Sequence, residues 1–367
     1  MHRLSAASQT FLWALFLAAS WTWCIGMYLP VILERQFGIW GWIVFALPNV
    51  LGAAAFGWVL RDALSSRHVV DKHIVACRIF SAVTIAFQLF FLGWIGNWVG
   101  WEIGSVPAMC IAAAVGFVLG RWKFSAPSAS LVLAVSMIAV LLFIRFDWVG
   151  ALALPDVPPS KDLAAMAAIC LLGFALCPYL DLTFHRARQS TNPIPGSLAF
   201  TLGFCVFFLA MIVFTLCYSA WMLDWRMAVP ALLALVLGVH FGIQCGYTIA
   251  LHTAALGKQW PYLVGAALLA AGGYFYPGGE MSYRLFMTFY ALIFPAYVWI
   301  VMLWGRRIEI MVLAILAAAP FYYAAFFQTG RMTWALAGVG IILLIPLLGP
   351  YNRTWKVAST DHHAAGV

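Results

Sequence analysis

An all-α, polytopic membrane protein of about 12 transmembrane helices is the fold class this sequence predicts, and three observations carry it. Of its residues, 65% are hydrophobic and 9% charged, and the mean hydropathy is +0.96, far above what a water-soluble globule keeps dissolved. The apolar residues run in long, continuous stretches of roughly 20, where the strands of a membrane barrel would alternate over about ten. The charges gather where those stretches end.

In chain order the apolar runs fall at 9–31, 38–60, 74–97, 102–121, 126–145, 162–186, 198–221, 228–251, 259–276, 284–304, 308–328 and 332–349. The first lacks the basic flank, short apolar core and cleavage site of a leader, so it reads as a retained span. Within it, "SWTWCIGMYLP" (20–30) sets Gly26 and Pro30 after a polar and aromatic patch, the signal of a broken helix. The second, "NVLGAAAFGWVL" (49–60), aligns Gly52, Ala53, Ala54 and Gly57 at the spacing that lets helices approach closely. The fourth and fifth are a closely spaced pair around 98–126. After the fifth, "RFDWVGALALPDVPPSKD" (145–162) is the longest outside loop, a small lid or a proline-rich connector. The sixth run breaks near mid-span in "GFALCPYLD" (173–181), at Gly173 and Pro178. The ninth carries the glycine-rich "ALLAAGGYFYPGG" (267–279), which suits a broken or re-entrant segment.

Alternating these runs across the bilayer puts 14 of the 20 lysines and arginines on one side, among them Arg61, Lys72, Arg121, Lys258 and Arg306. The other side has six: Arg35, Arg145, Lys161, Arg226, Arg284 and Arg331, often beside an acid such as Glu34 or Asp147. The positive-inside rule then places both termini in the cytoplasm of a plasma (inner) membrane protein. The chain reads as a single transmembrane domain over 1–367, with a ten-helix core at 9–304, two peripheral helices at 305–350 and a cytoplasmic tail at 351–367. The net charge of +8 has no basic block with interleaved aromatics, so membrane topology explains it and no nucleic acid is expected. All eight cysteines lie in apolar runs without a CxxC spacing and read as packing residues.

The first and sixth spans run in opposite senses, five spans apart, and both carry a cysteine followed shortly by Tyr-Leu and a break signal. That is the pattern of a 5+5 inverted repeat, in which paired broken helices expose carbonyls and half-helix ends to a solute. The residues beside the breaks are the candidate substrate-binding set: Trp21, Thr22, Trp23, Gly26, Phe174, Cys177, Pro178 and Tyr179. Asp181 lies in the apolar run with His185 one helical turn on, so the two can share a hydrogen bond or ion pair on one face, as a structural pair or as a gate. His240 and His252 are twelve residues apart, roughly 18 Å along a helix, and cannot ligate one metal. His240 is expected to bond Gln244 or a backbone carbonyl, and no metal or other cofactor is expected. No nucleophile triad, HExxH or phosphate-binding glycine loop is present, and the loops are too short for a catalytic domain, so the chain does not read as an enzyme.

The stretch "WTWCIGMYLPVILERQFGIWGWIVFALPNVLGAAAFGWVL" (21–60) and the later "GFALCPYLDLTFHRA" resemble the sodium:solute symporters and their wider amino acid–polyamine–organocation superfamily, over residues 9–304. The resemblance implies alternating access about a midplane site for a small organic solute, coupled to sodium or protons. It places Asp181, His185, Thr248 and Thr253 at a gate or coupling site. In "GYTIALHTAALGK" (246–258), Thr248 and Thr253 stand without the adjacent hydroxyl pair usual at the sodium site of such proteins. The alternative is a non-transporting membrane subunit of the same fold, serving as an assembly or sensory partner of another protein.

Overall fold

A computed structural model of the protein describes residues 5–99, 104–123, 125–148, 157–223 and 230–348. Among them every regular element is helical: α1 (Ala6–Trp21), α2 (Cys24–Val59), α3 (Ala63–Val99), α4 (Ser105–Arg121), α5 (Ser125–Arg145), α6 (Lys161–Leu176), α7 (Leu182–Gln189), α8 (Pro193–Leu202), α9 (Leu209–Leu223), α10 (Ala231–Leu256), α11 (Trp260–Phe275), α12 (Gly279–Thr288), α13 (Phe294–Ala296), α14 (Ile308–Tyr323) and α15 (Thr333–Leu344). Eight helical stretches among the described residues are long and apolar enough to cross a bilayer, and shorter apolar helices accompany them, so this is a multi-pass helical membrane protein. The 351–367 tail and residues 149–156 of the long 145–162 loop lie outside the described residues, as do 100–103 and 124 of the 98–126 region.

The two broken spans start alike. Ser5 and Ser160 cap α1 and α6, their side chains accepting from the backbone N–H of Ser8 and Leu163, and each helix then runs 16 residues to its break. In the first span the break falls at Thr22 and Trp23, not at Gly26 or Pro30, which both lie within α2. Thr22 turns its hydroxyl back onto Ala18 O at 2.8 Å and so ends α1, whereas Pro30 removes only one ladder hydrogen bond in a helix held by tertiary packing. Pro178 does break the sixth span: residues 177–180 wind as a 3₁₀ turn, Asp181 is extended, and α7 follows.

Of three other boundaries, the first falls where the second apolar run is expected to begin, at residue 38, and the other two differ from expectation. Gly38, at φ 59° and ψ −150°, turns the chain inside α2 where only glycine sits without strain, separating the first passage from the second. The third helix begins at Ala63, some eleven residues early, because the polar stretch before the apolar run is helical too, with a bend at His73 (φ −121°, ψ 23°). The glycine-rich ninth run stays one helix, α11, up to Phe275; its glycines are absorbed, and the turn is made after it by Gly278 and Gly279 at positive φ.

Close backbone contact holds the bundle. A Cβ on Gly246 would stand 2.0 Å from Ala113 O, and one on Gly116 2.3 Å from Ile243 O, so α4 and α10 touch through bare backbone. The Gly52 stripe does the same for α2 and α6, since a Cβ there would lie 2.4 Å from Phe174 O. That contact sets the second passage directly behind the sixth-span break.

Candidate functional site

A cavity opens where the first, second, sixth and α12 passages meet, with about 60 Å³ open to the centres of water-sized molecules, against roughly 10–15 Å³ for one water. Trp21, Trp23, Asn49 and Cys177 line it at the breaks; Ile25, Leu29, Met166, Ile169, Phe174 and Tyr290 line it further along. Leu33, Gln36, Arg284, Phe326 and Met332 lie toward the end of the bundle where Arg35 and Glu280 meet. Its walls are almost wholly apolar, as solute sites commonly are.

Trp21 and Trp23 touch each other at 4.4 Å between ring centroids, and Trp21 packs on Phe184 while Trp23 packs on Phe80, Tyr290 and His252. Trp21 Nε1 donates to Asn49 Oδ1 at 2.7 Å, which fixes the indole and orients the amide. The break thus seats its two tryptophans between the third, sixth, eighth and tenth runs of the sequence. Five of the eight expected binding residues line this one space: Trp21, Trp23, Gly26, Phe174 and Cys177. Thr22, Pro178 and Tyr179 do not. Thr22 is buried against its own helix, and Tyr179 packs on Phe56.

The gate residues separate from one another. His185 does not pair with Asp181; its Nδ1 shares a hydrogen bond with Ser66 Oγ at 2.8 Å and its Nε2 meets Tyr179 O at 3.0 Å. Asp181 instead caps α7, its Oδ1 accepting from Thr183 N at 2.6 Å, while Oδ2 has no partner among the described residues. The expected i,i+4 pairing fails because Asp181 is the extended cap residue and not part of the helix. Thr248 is fully buried with its hydroxyl unpartnered among the described residues, and Thr253 is half-buried five residues on, on another face. His240 and Gln244 both reach Ser136 Oγ, at 2.9 and 2.8 Å, and not each other. No group of three or more His, Cys, Asp or Glu able to hold a metal occurs among the described residues.

Several site residues escaped the sequence reading. Asn49 was legible as a lone amide after Pro48 in an apolar run. Arg284 and Tyr283 were not, because their partners are remote in sequence. Glu280 Oε1 accepts from Arg35 Nη2 at 2.6 Å and from Arg284 Nη2 at 2.7 Å, tying α2 to α12. Arg35 therefore pairs across the bundle, and its neighbour Glu34 turns inward and is fully buried.

The carbonyls a broken helix exposes are largely answered from within. Tyr283 OH donates to Cys24 O at 3.1 Å, Trp23 Nε1 to Ser20 O, and Tyr218 OH to Met27 O at 2.6 Å. Where the helix after α12 widens to π winding at 289–293, Cys177 Sγ donates to Tyr290 O and Tyr322 OH to Ala291 O. Comparisons with protein-family models, with characterised proteins and with solved structures return no match for this chain.

Proposed function

We propose that the protein is a secondary transporter of the symporter-like, inverted-repeat kind, moving a small organic solute through the cavity between its broken helices. The observation that carries this reading is the convergence of both breaks on one apolar cavity, with Trp21 and Trp23 from the first span facing Phe174 and Cys177 from the sixth. Helix positions support the repeat: α1, α4 and α5 begin at 6, 105 and 125, and α6, α11 and α12 at 161, 260 and 279, offsets of 155, 155 and 154. Counting the passages divided at Gly38 gives five to each half and two after them, 12 in all. An odd number per half inverts the second relative to the first. On this reading both termini are cytoplasmic in an inner membrane, and the Arg35–Glu280–Arg284 cluster stands at the outer mouth, bridging first and tenth spans. Rocking of the broken spans would open and close that mouth. Coupling to sodium or protons is part of the proposal, with Thr248, Thr253, Asp181 and His185 on the inner side.

The test is gradient-driven uptake of a broad panel of labelled solutes into proteoliposomes. Native Cys170 and Cys177 line the cavity, so methyl methanethiosulfonate should block uptake, and a variant with both replaced by serine should resist the reagent. Uptake indifferent to imposed gradients, or equal block of the double variant, would sink this mechanism.

The second reading, a non-transporting subunit, is favoured by one observation. The break carbonyls at Ser20, Cys24 and Tyr290 already have internal donors. A partner co-purifying in fixed ratio, together with no uptake of any solute, would select it.

A further inference from the structure

The cavity is unevenly supplied with charge and with hydrogen-bonding groups. At its mouth two guanidiniums, Arg35 and Arg284, face one carboxylate, Glu280, leaving a net charge of +1. Arg284 lines the cavity, and three of its five N–H donors are committed: Nε and one on Nη2 to Glu280 Oε1, one on Nη1 to Phe326 O. Two remain. At the other end, Asn49 Oδ1 is occupied by Trp21 Nε1, while its amide nitrogen has no hydrogen bond within the described protein. The carbonyls nearest the breaks are taken, Cys24 O by Tyr283 and Tyr290 O by Cys177. No Asp or Glu lines the cavity among the described residues. Gln36 and Thr288 add neutral oxygens but no counter-charge.

An ammonium entering this space would leave water for walls without an anion. A carboxylate would meet a cation with spare donors in a fork that suits it. An apolar body has Trp21, Trp23 and Phe174 to pack on. We infer that the solute is an ionised apolar carboxylic acid, its hydrocarbon or aryl part among these rings and its carboxylate toward Arg284. This inference rests on the cavity being the solute site of the proposed transporter.

The experiment holds the body constant and changes the head: labelled phenylacetate, phenylacetamide, phenethylamine and phenylalanine are bound to the purified full-length protein by equilibrium dialysis. Phenylacetate should bind at least about tenfold tighter than the other three. Arg284→Gln should weaken it by about tenfold and leave phenylacetamide unchanged. Glu280→Gln, which removes the competing anion, should tighten it several-fold, a gain that misfolding cannot mimic. Tightest binding of phenethylamine or phenylalanine overturns the carboxylate assignment and leaves the cavity a solute site. Binding of none of the four overturns both the assignment and the solute-site reading for a body of this size. Unchanged phenylacetate affinity in both variants overturns the role of Arg284.

Discussion

Arg188 is a fully buried cation whose hydrogen-bond partners are oxygens of Thr191, Asn192, Pro193 and Ser197, with no carboxylate among them. Its guanidinium donates to Asn192 O at 2.6 Å, Pro193 O at 3.1 Å and Thr191 Oγ1 at 3.2 Å, so it wires the corner between α7 and α8. A lysine is a point donor and cannot span this set. Arg188→Lys should therefore lower stability by about 2 kcal/mol, seen as a fall in the melting temperature of the detergent-solubilised protein. A smaller residue effect lies at Asp62, which caps α3 by accepting from Ser65 N at 2.7 Å; that bond holds its carboxyl below the usual range. A carboxyl lowered in the folded state stabilises above its unfolded pKa, about 3.9, and loses that contribution as pH falls through the folded value. The stability gap between wild type and Asp62→Ala should narrow as pH drops from about 5 to about 2, and a gap that widened on acidification would contradict this sign.

Helices in this molecule meet through what their side chains lack. With 2.0 Å between a Gly246 Cβ and Ala113 O, Gly246→Leu should force α4 and α10 apart and cost more than about 3 kcal/mol or prevent assembly, measured by size-exclusion profile and melting temperature. Gly265→Leu is the control, because nothing lies within 4 Å of a Cβ there. Such small-residue stripes were legible in the sequence at Gly52 and Gly57, since spacing alone reports them. The sixth-span break was legible for a similar reason: Pro178 acts locally. The sequence sets the first break several residues late, because proline and glycine are tolerated in membrane helices and the residue that ends α1 is a threonine bonding its own backbone. Arg284 and Tyr283 were out of reach, since Tyr283 meets Cys24 and Glu280 meets Arg35 across more than 240 residues of chain.

At the scale of the whole chain, the proposed orientation makes a labelling prediction. In intact cells, and in a background lacking the eight native cysteines, a membrane-impermeant maleimide should label Arg35→Cys at the outer mouth and leave Lys258→Cys unlabelled until the membrane is permeabilised. The reverse pattern would turn the assignment of both termini over.

The bond from Tyr283 to Cys24 has a further meaning for biosynthesis. A ribosome delivers the first span long before the tenth, so Cys24 O waits for its donor, and Arg35 for Glu280, until residue 283 has reached the bilayer. The break between α1 and α2 is thus completed only once α12 has been made. A nascent chain stopped after α5 therefore lacks the donor that Cys24 O has in the folded protein.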